Sequence, residues 1–120
     1  MTTSEMATVL AWHDALAARD LTTLESLSSD GIEVAQPHAA GQGHRALREW
    51  AQTVTIITKL GRMYIHDGVV VVELIPEDPD APVEAAAFQV VDDQVTSVFR
   101  HPDLDAALAA TRLTEADRID

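Results

Sequence analysis

His38 follows Pro37 directly after the strand-like run Ile32–Gln36, and an imidazole with an ordinary pKa of about 6.5 suits acid/base chemistry at neutral pH. As a plain loop histidine it needs no role. Glu73 is the other candidate acid/base, because it follows Val69-Val70-Val71-Val72 and precedes Leu74-Ile75, a strongly apolar setting for a carboxylate. Desolvation there would raise its pKa towards the range of a general acid or base. Pairing with Arg62 or Arg100 across strands, or a place in a dimer face, would keep it charged instead. Gln36 shares the parity of Ile32 and Val34, so it faces whatever they face. It is either a hydrogen-bond donor and acceptor for a ligand or a strand-end amide satisfied by backbone.

Arg100, near the end of the last strand-like run, would orient an anionic group of a ligand or neutralise Glu73. Trp12, Trp50, Tyr64, Met63 and Phe88 are candidates to line a pocket, and equally candidates for ordinary core. His38 and His44 are separated by a glycine-containing loop with no close carboxylate, a poor metal signature, and there is no cysteine. His44, near a helix start, reads as a surface or capping residue, and the acidic loop Glu77–Asp80 lacks the ligand spacing of a calcium site. No metal and no cofactor is expected.

The elements that would position these groups can be read from periodicity. Met6, Val9, Leu10, Trp12, Leu16 and Ala17 recur at helical spacing over residues 4–19, with Ser4 as a cap. Leu21, Leu24 and Leu27 give a second short helix that Asp20 would cap. A strand, Ile32–Gln36, stops at Pro37, and Ala39–Gly43 reads as a flexible loop. A third helix is predicted over about 44–57, with Leu47, Trp50, Ala51 and Val54 on one side, although its β-branched end weakens helix formation. Four strands follow, over 62–66, 69–75, 82–91 and 94–101, joined by turns at Asp67-Gly68 and Asp92-Asp93 and by the proline-rich loop 77–82. A last helix over 103–111 precedes a charged tail, 112–120, read as mobile.

Helices first and a strand meander afterwards predict an α+β domain spanning residues 1–120, with helices on one face of an antiparallel sheet. Val69–Val72 is apolar on both parities, so both faces of that strand need cover, and a homodimer through the outer sheet face would supply the second.

Composition narrows the function classes. The chain has 120 residues with a formal charge of −12, and 47% of them are hydrophobic, enough for a real core. That charge repels phosphate backbones, so nucleic-acid binding is not expected. The longest apolar run is far short of a membrane span of about 20 residues, and no signal segment is read, so a cytoplasmic protein without membrane contact is expected.

Four segments together resemble the nuclear transport factor 2-like superfamily, which includes ketosteroid isomerases and SnoaL-like polyketide cyclases. They are Val9–Leu27 with Trp12 and Arg19-Asp20-Leu21; Ser29–Val34; Gly43-His44-Arg45-Ala46-Leu47-Arg48-Glu49-Trp50; and Phe88–Arg100. The resemblance implies a cystatin-like cone, a curved antiparallel sheet wrapped around the N-terminal helices with an internal cavity. It also implies that the isomerase machinery is lost. Gln36 stands where the general-base aspartate would precede the proline, Trp12 where a tyrosine would donate to the oxyanion, and Ala86 near the place of a protonated aspartate. Ketosteroid isomerase activity is therefore not expected.

The expectation is a small-molecule cavity protein of SnoaL-like type, an acid/base isomerase, cyclase or dehydratase acting on an apolar carbonyl compound. His38 and Glu73 would be its catalytic groups, and Trp12, Gln36, Trp50, Tyr64, Phe88 and Arg100 would contact the ligand. The alternative is a noncatalytic ligand-binding or protein-interaction homodimer.

Overall fold

A computed structural model describes residues 2–36, 39–53 and 59–119. The chain runs α1 (Thr2–Ala17), α2 (Leu21–Ser26), β1 (Ser28–Gln36), β2 (Ala39–Gln42), α3 (Gly43–Thr53), β3 (Lys59–His66), β4 (Val69–Ile75), β5 (Glu84–Val91), β6 (Gln94–His101) and α4 (Leu104–Thr111), closed by a short 3-10 turn, Glu115–Asp117. The six strands form one curved, open sheet in the order β2-β1-β6-β5-β4-β3. β1 and β6 pair in parallel and the other neighbours are antiparallel, so the sheet is mixed rather than purely antiparallel. The α+β cone expected from the sequence is the observed fold.

Local chemistry explains the corners. Asp67 and Gly68 have φ of 48° and 79°, and Asp92 and Asp93 have 51° and 63°. Positive φ at both central positions matches the twist of the flanking strands, and aspartate and glycine tolerate it. Asp20 caps α2, its carboxylate accepting from the Thr23 N–H at 3.2 Å. A bond from the Thr23 hydroxyl, at 2.6 Å, and secondarily that backbone bond hold its pKa below the ordinary value.

Several boundaries differ from the sequence reading. Helix α1 begins at Thr2, which places the expected cap Ser4 inside the helix. Strand β1 begins at Ser28, because its early residues pair with β6 before a register shift separates Ser28 from Glu33. Ala39–Gln42, read as a loop, is a strand on β1. Its glycine matters: a Cβ on Gly41 would sit 2.8 Å from the Ala46 Cβ, so the strand carries α3 at a distance only glycine allows. The part of the expected third helix beyond residue 53 lies outside the described residues.

The core has two layers. On the inner, concave face Ile32, Val34, Val70, Val72, Phe88 and Val98 meet Val9, Trp12, Leu24 and Leu47 from the helices. On the outer face Tyr64, Val71, Ala85 and Ala87 are covered by Leu104, Ala107 and Leu113. This corrects the reason given for a partner subunit. The second cover over Val71 is the chain's own α4, whose small Ala107 can approach the small Ala85 and Ala87 closely. The segment read as a mobile tail is docked along β3: Tyr64 pairs with Arg118, and the Ile119 N–H donates to the Met63 carbonyl at 3.0 Å.

Candidate ligand site

Three aromatic side chains meet on the inner face. Trp12 of α1 packs edge-on against Phe88 of β5 at 5.3 Å between ring centroids and tilted against Trp50 of α3 at 5.8 Å. Trp12 is buried and Trp50 half-buried. The Trp12 indole N–H donates to the Ser28 hydroxyl at 2.9 Å, and that hydroxyl donates to the Leu24 carbonyl at 2.7 Å. The one donor of Trp12 is thus committed to the scaffold, and towards Trp50 and Phe88 it presents only its apolar ring.

Arg100 lies two residues beyond the buried Val98 in β6, opposite Ala86 of β5, so its parity is that of the inner face. Its side chain is only 11% exposed, and its Nη2 donates to Glu84 Oε1 at 2.5 Å. Arg100 Nε is buried and has no hydrogen-bond partner among the described residues. Glu84 shares the parity of Ala86 and Phe88 and pairs across to Leu74. The sequence reading passed over it; the signal was a lone carboxylate opening a mostly apolar strand, in step with Phe88. Gln36 closes β1 one step beyond the Ala35–Phe99 pair, the strand position beside Arg100. His38 lies outside the described residues.

Two expected site residues sit on the other face. Tyr64 shares a layer with Val71 and Leu104, and its hydroxyl donates to Glu115 Oε2 at 2.5 Å. That bond, with burial, pushes the phenol above its ordinary pKa. It does not join Trp12, Trp50 and Phe88, because Met63 and Ile65 take the inner positions on either side of it.

Glu73 alternates with Val72 and Leu74 of the inner layer, so it too points outward. The outcome among its alternatives is the pair with Arg62. Glu73 accepts from the Arg62 guanidinium at 3.0 and 3.3 Å and from the Arg62 backbone N–H at 3.1 Å. The guanidinium holds the Glu73 carboxyl below its ordinary pKa, against the opposing effect of burial, and Glu73 in turn raises Arg62. Glu73 is therefore a fixed anion at neutral pH, not a poised acid/base, and Arg100 neutralises Glu84 rather than Glu73. The pocket expected to hold Glu73 with the aromatics is in fact divided by the sheet.

Among the described residues no group of three or more side chains could hold a metal ion, and no helix is long and apolar enough to cross a membrane. A shallow outer-face groove of about 250 Å³, lined by Val69, Ala87, Phe99, His101 and Thr111, runs beside the end of α4.

No protein-family model matches the sequence, and no curated protein matches it. Solved structures do. An NTF2-like protein from Burkholderia xenovorans is 19% identical with a TM-score of 0.67, over 94% of this chain and 97% of that one. An LEH-like epoxide hydrolase from M. tuberculosis is 20% identical with a TM-score of 0.67, over 92% and 96%. A Sinorhizobium meliloti protein described as a candidate polyketide cyclase is 16% identical with a TM-score of 0.70, over 79% and 94%. The chain has the NTF2-like fold.

Proposed function

We propose that this NTF2-like chain is a small-molecule cavity protein that takes an apolar ligand against the inner face of its sheet, with Arg100 meeting the ligand's polar end. The observation that carries this reading is Arg100 itself. Glu84 meets the charge of this nearly buried guanidinium, but Nε lacks a partner among the described residues, and a buried donor left so is costly unless something else meets it. Apolar walls with a few fixed polar groups are what ligand pockets are made of. Similarity to folds named for polyketide cyclase and epoxide hydrolase supports a small organic molecule as the occupant. Chemistry on that molecule would draw on Arg100, Gln36 and His38, since Glu73 faces away.

Native mass spectrometry of the protein purified from its own host tests this. A small molecule is expected on the wild type and lost from Arg100→Met, a variant that keeps the aliphatic stem. Equal retention by both proteins, or none by either, would overturn the reading.

A second reading, a homodimer through the outer face, is favoured by Phe99 and Val91, which are 38% and 49% exposed. Sedimentation should then give a dimer that Phe99→Glu dissociates; a monomer at high micromolar concentration would remove it.

A further inference from the structure

We infer that Glu84 sets the charge of the accepted molecule, making an arginine site into one for neutral, oxygen-bearing ligands and excluding carboxylates. The inference rests on the reading above, in which Arg100 meets the ligand. Alone on the inner face, a guanidinium this buried would be an anion trap, since its fork of donors matches a carboxylate in two places. Glu84 already meets that fork at one corner, with Oε1 on Nη2 at 2.5 Å. The formal charges cancel, and the buried Nε is left with no hydrogen-bond partner among the described residues.

A carboxylate arriving at Nε would come close to the Glu84 carboxylate, and like charges so placed repel, an effect that water moderates because Glu84 is 38% exposed. A ketone, ester or epoxide oxygen accepts the same N–H without that penalty. Glu84 Oε2, which takes no part in the contact with Arg100, is a fitting acceptor for a hydroxyl. Geometry keeps the arrangement from being an accident of the surface: Glu84 and Arg100 lie on adjacent strands with the same parity, and Arg100 is 11% exposed against 38% for Glu84. The more buried partner is the cation, and the wetter partner compensates it.

Calorimetric titration with acetophenone and with benzoate, which share an apolar ring and differ in charge, tests the inference. Wild type should prefer acetophenone by at least about tenfold. Glu84→Gln, isosteric and still able to accept from Arg100, should shift the preference towards benzoate by about tenfold, the exposure of Glu84 limiting the effect. Glu84→Asp, which keeps the charge, should behave as wild type and shows that the shift is not general damage. Benzoate binding to wild type as tightly as acetophenone, or a preference unchanged in Glu84→Gln, would overturn the role of Glu84 alone. Failure of both probes to bind all three proteins would overturn the cavity reading and this inference with it.

Discussion

The Trp12 indole and the Ser28 hydroxyl are joined by a buried 2.9 Å hydrogen bond, which ties the middle of α1 to the first residue of β1. The same hydroxyl donates onward to Leu24 at the end of α2, so one small side chain fixes the meeting of two helices and the sheet. It also decides what the inner face can offer a ligand, because the indole donor is spent inside the scaffold.

Ser28→Ala should therefore destabilise the fold by about 1–3 kcal/mol, the usual consequence of stranding a buried donor. Urea denaturation followed by tryptophan fluorescence measures it. A loss below a few tenths of a kcal/mol would mean that the indole finds another acceptor.

Trp50→Ala should cost about 3 kcal/mol, near the lower end for a large aromatic because the ring is half-buried. The same denaturation experiment applies. A loss under 1 kcal/mol would detach α3 from the role of holding the aromatic wall together.

Glu73 gives a pH signature. Its folded pKa lies below its ordinary value of 4.5, so the pair with Arg62 contributes fully above that pH and is lost as the pH falls through the folded value. Thermal melts of Glu73→Gln should have a flatter acid limb than wild type and differ little in ligand binding, since Glu73 lies on the far side of the sheet. An unchanged acid limb would show that the pair contributes nothing measurable.

Tyr64 works in the opposite direction. Its folded pKa is raised above the ordinary 10.0, so its bond to Glu115 contributes below that pH and is lost as the pH rises through the folded value. The chain has a single tyrosine, so ultraviolet difference titration reads this group alone. The phenol should ionise above the free amino acid, and Tyr64→Phe should cost about 1.5 kcal/mol, typical of a bond to a charged acceptor. A phenol titrating at its ordinary value would undock residues 113–119 from β3.

Much of this molecule was legible in the sequence. Helical spacing marked α1 and α2, Asp67-Gly68 and Asp92-Asp93 marked the hairpins, and the order of segments carried the resemblance to the NTF2-like fold. These are local properties: a repeat of apolar residues or a turn dipeptide is present whatever lies across from it. Ala39–Gln42 escaped because it is short and made of small residues, and only its pairing with β1 makes it a strand.

The site was another matter, because its decisive facts are pairings between strands. The sequence could name Glu73 and Arg100 as charges in apolar strands, and it held Arg62 open as a partner, but strand parity does not say which face is the inner one. The bulge between Leu60 and Met63 sets the backbone N–H of Arg62 beneath Glu73, where a Cβ on Gly61 would fall 2.5 Å from the carboxylate oxygen. The register of β5 on β6 brings Glu84 to Arg100, sixteen residues apart in the chain. By itself the sequence determined which groups were charged, which segments were helical or extended, and that both faces of β4 would be covered. Only the tertiary structure decided who neutralises whom and that α4 is one of the covers. The physical reason is that charge pairing and burial depend on distances across the sheet, which register fixes and local propensity does not.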